Sequence, residues 1–469
     1  MKRSIIIASG GLQFASLFYD TGLGLNTLLY SLWLVISLYF LYKSRIFEWP
    51  TVLAAVAMIL TSIAITYHGS TLSITMYFAT SITFIGLVAS SNSSIYIAFM
   101  NGFYTVIFGM FHKFISLDTE GEFPKDSNSN LHSSDYLDVA KMILIPTALF
   151  VLFVIIYSFV NPVFLSWIEQ IDLSIIDAGW IFTLVLGCLL MYHISDPQVI
   201  KSITEADYKA PEHLKAYQIK PDEYPHLKKD LTIGSCSIGV LNLLLVVVLI
   251  SELLFIGSMD DSQKASEMSS AVHQGVYASI TSIVVAIAII SYYFHGKLNF
   301  IRDNRLLKKI SYLWIILNVL LIISVGFKNL QYIHLYGLSI KRLGVAVYLL
   351  VCLSGLITVW SKIANRRTIT YLIRRNSIAA FTSIVLFSLI NWAAVVTNYN
   401  LQHDFIHEDQ LIRLYPLNAL ELQRHGFEVD VVQESQYYKA KSSYRNFIDR
   451  KWQDYNYTAA RLKKHDDNE

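Results

Sequence analysis

IGSCSIGVLNLLLVVVLISELLF, residues 233–255, decides the fold. Its 23 residues carry one charged side chain, Glu252. Wound as a helix at 1.5 Å per residue they reach about 34 Å, enough to cross the ~30 Å hydrocarbon layer of a bilayer. Working outward, comparable apolar runs occupy residues 5–19, 25–42, 51–67, 72–89, 95–111, 142–159, 178–192, 276–293, 310–325, 343–360 and 378–396. With the first they make twelve candidate spans. The whole chain of 469 residues is 54% hydrophobic and 15% charged. An average soluble protein carries about 25% charged residues, so the composition points to a bilayer as solvent.

Other features agree. A net charge of +2 implies no general pull toward nucleic acid. The 29 tyrosines suit a protein with two membrane–water interfaces. Cys188, Cys236 and Cys352 lie in apolar runs or at the edge of one, show no CxxC spacing and are odd in number. They read as small hydrophobes packed between helices, with no disulfide framework. Lys2 and Arg3 before Ile5, Ile6 and Ile7 resemble a signal peptide. Asp20 and a second apolar run follow with no small-x-small cleavage site, so the segment reads as a retained span.

Lysine and arginine in short loops set the orientation. Lys297, Arg302, Arg305, Lys308 and Lys309 follow one run, and Lys362, Arg366, Arg367, Arg374 and Arg375 follow another. Residues 195–230 hold six lysines, and Lys2, Arg3, Lys43 and Arg45 vote the same way. Residues 257–270 hold one lysine beside Asp260, Asp261 and Glu267. The basic loops are therefore cytoplasmic and the acidic one outside. These votes agree if residues 95–111, interrupted by Asn101 and Gly102, lie in the interface or re-enter. The expectation is an all-α polytopic bundle of eleven spans, or twelve if that run crosses, with the N-terminus inside and the tail outside. Residues 1–397 form the bundle and 398–469 a small polar tail with mixed charge. The tail is expected to hold a short helix over 418–425 closed by Gly426, and a second helical stretch around 444–462. Residues 113–137 read as a polar mobile loop, and 195–230, with four prolines, as a folded irregular connector.

Catalytic signatures are missing: no GxxxxGK[ST], no HExxH, no zinc-spaced Cys/His pairs and no GxSxG. No cofactor or metal is expected. Drawn on this topology, polar residues gather on the outer side. Asp20 and Asn26 flank the first outer turn, and Asn161 and Pro162 end a helix. His273 and Gln274 open another, Lys328, Asn329, Tyr332, Tyr336, Lys341 and Arg342 surround a hairpin at Gly337, and Asn391 and Trp392 approach the last outer end. Glu252 stands inside an apolar run, where a charge costs about 2.5–3.5 kcal/mol on insertion scales. Glu252 is expected to pair with Arg342 or Lys341, with His273 nearby. Glu252, His273, Arg342, Tyr336, Asp20 and Asn391 form the candidate polar site. The competing reading is that these groups cap helices and snorkel to water.

Six stretches carry a family resemblance: DTGLGLNTLLY (20–30), YSFVNPVF (157–164), VHQGVYASI (272–280), YGLSIKRLGV (336–345), SKIANRRTITYL (361–372) and NWAAVVTNYNL (391–401). In this order they resemble the bacterial membrane family of domain of unknown function 4153/4173. The resemblance implies a polytopic protein of the bacterial inner membrane and supplies no catalytic residue. The functional expectation is a non-enzymatic scaffold or a sensory or regulatory partner, touching membrane lipids and a protein partner through its tail. A transporter of a small solute and an intramembrane enzyme acting on a lipid-linked substrate at the outer leaflet are the alternatives.

Overall fold

A computed structural model describes residues 3–115, 149, 153, 156–161, 164, 177–257, 265–294, 296–405, 408–426 and 444–466. The side chains of 110–115, 265–273, 276 and 278–280 lie outside the described ones. The chain is an all-α polytopic helix bundle, and among the described residues it forms no strand beyond the single bridge of His213 with Arg367. The expected loop of residues 113–137, past the end of the helix Ile95–Ile115, and most of the run 142–159 lie outside the described residues.

The first half contains α1 (Arg3–Phe18), α2 (Leu25–Leu41), the short α3 (Lys43–Ile46), α4 (Trp49–Tyr67), α5 (Thr71–Ala89), α6 (Ile95–Ile115) and α7 (Ala178–Ile194). After a connector bearing α8 (Lys201–Lys209), the second half contains α9 (Tyr224–Gly257), α10 (Ala265–Tyr293), α11 (Arg305–Tyr336), α12 (Ile340–Asn365) and α13 (Ile369–Ser388). Each half buries its own core. Leu38, Met58, Ile65, Phe84 and Met191 centre the first; Ile238, Ile290, Val325, Leu356 and Ile363 centre the second. The opposite faces stay apolar and uncovered. On α9, Val240, Leu243 and Leu254 are each about two-thirds exposed. In water such a stripe would be an aggregation site; in lipid it costs nothing.

Helices α4, α5, α9, α11 and α12 are long and apolar enough to cross a membrane, and α13 with the following α14 (Trp392–Gln402) makes a sixth if the bent pair counts as one span. Shorter apolar helices lie at Leu25–Leu41, Ile95–Gly109, Ala178–Ile194 and Thr281–Tyr293. Two of the differences from expectation bear on the site. Residues 378–396 are not one helix: α13 and α14 meet at 63°. The break occurs where the Asn391 side chain accepts from the Ala394 N–H and starts a new helix, as an N-cap residue does. The run 310–325 continues eleven residues further, to Tyr336, carrying Lys328 and Asn329 into the bundle.

The interruption at Asn101 and Gly102 has a physical reason. A Cβ on Gly102 would overlap the Ile82 carbonyl, and one on Gly86 the Ala98 carbonyl. Small residues let α5 and α6 approach backbone to backbone. Asn101 and Thr105 are fully buried and bond the connector: Asn101 Nδ2 donates to Thr204 Oγ1 (3.0 Å), and Thr105 Oγ1 donates to the Gln198 carbonyl (3.1 Å).

The loops that carry the basic residues meet at one end of the bundle. Arg3 Nε donates to Ser195 Oγ, Arg45 Nη1 donates to the Val88 and Ala89 carbonyls, and Lys297 pairs with Glu223 at 2.7 Å. The connector crosses both halves there. The buried Asp207 accepts from the Ser94 N–H (2.8 Å) at the start of α6 and from Arg374 Nη2 (3.1 Å) on α13. Burial raises the Asp207 pKa, but the Ser94 hydrogen bonds and the Arg374 charge outweigh it and hold the carboxyl below its usual value.

The tail folds at the opposite end. It contains α15 (Glu408–Arg413), α16 (Ala419–Arg424), a helical turn over 444–448 and α17 (Tyr457–Asp466). Ala419, Phe447, Ala459 and Leu462 give it a small core of its own. The expected short helix is present as α16, and Gly426 follows it at φ +65°, in the left-handed region glycine adopts freely. The expected 444–462 stretch is two pieces separated by an irregular segment over 449–456. That segment makes the contacts described next.

Candidate functional site

The six residues singled out from the sequence do not form one cluster. Glu252 Oε2 lies 2.5 Å from Lys328 Nζ, and Ser324 Oγ donates to the same oxygen at 3.3 Å. The expected pairing with Arg342 or Lys341 is therefore replaced by one with Lys328, whose side chain is 3% exposed. Arg342 serves the hairpin instead. Its Nη1 donates to the Tyr336 carbonyl (2.9 Å) and the Gly337 carbonyl, and its guanidinium stacks 3.8 Å from the Tyr332 ring centre. These carbonyls close α11, where backbone acceptors run out of helical partners. Tyr336 packs edge-on against Tyr332. His273 lies on α10, with its side chain outside the described ones.

Asp20 and Asn391 have a shared role that the sequence did not reveal: both hold the tail. Lys451 Nζ donates to Asp20 Oδ2 at 2.6 Å, and Asn391 Nδ2 donates to the Leu417 carbonyl at 3.0 Å. These are outlying members of a larger interface. On the first half, the Leu25 and Asn26 N–H groups donate to the Tyr455 and Gln453 carbonyls. The Gly22 N–H donates to Asp454 Oδ2 (3.0 Å), and Arg450 Nη1 donates to the Leu23 carbonyl (3.0 Å). At the end of α4, Asn456 Nδ2 donates to the Ile65 carbonyl (2.9 Å) and Thr458 Oγ1 to the Tyr67 carbonyl (2.8 Å), while Tyr457 stacks on Tyr67.

The second half is gripped through the hairpin. Leu338 exchanges two hydrogen bonds with the side chain of Asn400 on α14, its N–H donating to Oδ1 (2.6 Å) and its carbonyl accepting from Nδ2 (2.9 Å). Gln410 Nε2 from α15 adds a third bond, to the same carbonyl at 2.8 Å. Gly337 precedes Leu338 at φ +76°, and a Cβ there would crowd Asn400 Oδ1, so the turn needs glycine for both shape and space. Asn418 Nδ2 donates to Thr397 Oγ1 (2.9 Å) and the Leu411 carbonyl (2.9 Å), tying α16 to α14 and α15. Several buried asparagines, Asn26, Asn400, Asn418 and Asn456, thus satisfy backbone groups that would otherwise be stranded. Asn26 and Asn400 lie in α2 and α14, and Asn418 and Asn456 stand just before α16 and α17, so no single sequence pattern marked this interface.

Where the tail and both halves meet lies a cavity of about 620 Å³. Gly69 to Leu72 from the turn before α5, Ile340 at the start of α12, Phe387 to Ala393 across the α13–α14 break, and tail residues from 413–417 and 446–450 line it. Its charged lining residues are Arg413 and Arg450, with no acid among the lining residues. Arg413 is exposed. The Arg450 guanidinium is packed against Phe447, 3.9 Å from Asp454 behind it; burial lowers its pKa, opposed by Asp454. Among the described residues no cluster of three or more His, Cys, Asp or Glu side chains is arranged to hold a metal ion.

A family model described as "Domain of unknown function (DUF4153)" matches residues 29–424, most of the chain. No curated protein and no solved structure matches it.

Proposed function

We propose, for a chain that belongs to the DUF4153 family, a non-enzymatic role in the bacterial inner membrane. The protein acts as a sensory or regulatory partner, and its extracytoplasmic tail reports the arrangement of two membrane-embedded halves. One observation carries this reading: residues 450–458 are bonded to the turns of the first half, and residues 410–418 to the hairpin and α14 of the second. A shift of one half against the other must strain or release one of these attachments. A change in the membrane thereby reaches a polar surface where another protein can read it. The basic loops at the opposite end support the sidedness, since lysine and arginine are retained on the cytoplasmic side.

A transporter needs a polar path through the bundle. The buried charges found in the second half are instead held in place: Lys328 is paired with Glu252, and Lys362 donates to the Phe294 and Arg367 carbonyls. This favours the regulatory reading over the carrier one.

The test is a photo-crosslinking amino acid placed in living cells at Trp452, an exposed aromatic residue of the tail, and at Leu243 on the apolar face of α9. The proposal expects a discrete protein adduct from position 452 that position 243 does not give. Adducts to lipid alone from both positions would overturn it.

A further inference from the structure

We infer that the cavity between the tail and the two halves is a binding site for an anionic phospholipid, with the phosphate held by Arg413 and Arg450 and the acyl chains leaving along α13. The inference goes beyond the regulatory reading and does not depend on it.

The charge points to an anion. Two arginines line the cavity and no carboxylate does. Arg413 has no hydrogen-bond or ion-pair partner among the described residues, whereas Arg450 is fixed in place by its bonds to the Leu23, Phe447 and Asp454 carbonyls. One guanidinium is held and one is available, an arrangement suited to a phosphate with several acceptor oxygens. The starts of α5 and α14 also reach the cavity at Thr71 and Trp392, adding the positive ends of two helices.

The apolar lining points to a lipid rather than a free anion. Phe387, Ile390, Trp392, Leu414 and Phe447 make most of the wall apolar or aromatic. Ile340 and Ile390 are more than two-fifths exposed at its edge, and Leu386, one turn further along α13, is 57% exposed. These side chains join an exposed apolar surface along α13, a path that acyl chains leaving the cavity would follow. The volume suits a glycerophosphate headgroup and lies within the ordinary range for small-molecule sites, about 300–1,000 Å³. Trp392 and Phe387, stacked at 4.6 Å, sit where aromatic rings collect at the membrane interface. A lipid bound here would touch all three parts at once.

The experiment uses the purified full chain. Binding of phosphatidylglycerol, phosphatidylcholine and inorganic phosphate is measured by native mass spectrometry. In parallel, quenching of tryptophan fluorescence by brominated forms of the two lipids is compared between the wild type and Trp392→Phe. The inference expects phosphatidylglycerol to be retained over phosphatidylcholine. It expects brominated phosphatidylglycerol to quench a component that Trp392→Phe lacks. Arg413→Gln should weaken phosphatidylglycerol binding about fivefold, and Arg413→Lys should weaken it less. Arg413 is exposed and has no partner among the described residues, so these variants keep the fold, and unchanged circular dichroism checks that. Equal retention of both lipids, or no effect of Arg413→Gln, would overturn the inference. Millimolar phosphate that displaces the lipid or binds as well would overturn the assignment to a lipid and leave a free-anion site.

Discussion

Replacing Lys328 with methionine tests whether the one carboxylate in the longest apolar run is stabilised by its partner. Lys328 Nζ and Glu252 Oε2 are 2.5 Å apart, with the lysine side chain 3% exposed and the glutamate 20%. Removing one member of a buried pair costs about 3–5 kcal/mol, because the survivor keeps its charge without compensation. Glu252 retains a fifth of its surface and the Ser324 hydroxyl, so the expected loss for Lys328→Met is smaller, about 2–3 kcal/mol. Adding Glu252→Gln removes the stranded charge. The double variant should therefore be more stable than Lys328→Met alone, within about 1 kcal/mol of wild type. The assay is equilibrium unfolding in mixed detergent micelles, followed by far-ultraviolet circular dichroism over the full cycle of four proteins. If the two single losses simply add in the double variant, to within about 0.5 kcal/mol, the pair is not coupled and the reasoning fails.

Three further outcomes are expected. Asn456→Ala removes the buried bond to the Ile65 carbonyl and the cap on the Ala459 N–H, and should weaken tail docking by about 1–3 kcal/mol; Lys451→Ala, at the exposed pair with Asp20, should cost less than about 1 kcal/mol. Trypsin cleavage at Arg461 and Lys463 reports both, and equal rates for the two variants would contradict the assignment. Gly86→Val should separate α5 from α6, because its Cβ meets the Ala98 carbonyl, with a loss of several kcal/mol seen as low yield and a lowered melting temperature, whereas Gly239→Val on α9, with open space around it, should be tolerated. Asp207 has a folded pKa below its usual 3.8, so its contribution is complete above that pH and is lost as the pH falls below it. Hydrogen exchange over 200–210 should accelerate, relative to the rest of the chain, between pH 4 and lower values, and Asp207→Asn should remove that dependence.

The membrane fold was legible because apolar length and the distribution of lysine and arginine are local properties. Residues 233–255 needed no partner to be read as a span, and the basic loops needed none to be placed at one end. Pairings across helices were not legible. Lys328 follows an apolar run that ends at Val325, so it read as a loop residue; only the continuation of α11 to Tyr336 carries it beside Glu252. Arg342 read as a partner for Glu252 because the carbonyls it serves, at Tyr336 and Gly337, are invisible to a count of charges. The break at Asn391 was hidden inside an apolar stretch, since Ile390 and Trp392 keep the hydropathy high on both sides of it. Asp20 and Asn391 were rightly noticed as polar groups at helix ends, but their common partner lies in the tail, distant in sequence. Among the described residues the tail's own core is Ala419, Phe447, Ala459 and Leu462, too scattered for a periodic pattern.

The account rests on the tail holding both halves of the bundle at once. Paired cysteines at Tyr67 and Thr458, and at Leu338 and Gln410, introduced after replacing Cys188, Cys236 and Cys352 with serine, test this in native membranes with a short bismaleimide. The account predicts that each pair crosslinks in high yield and that both links form in the same molecule when the four cysteines are combined. Formation of one link at the expense of the other, or of neither, would contradict it.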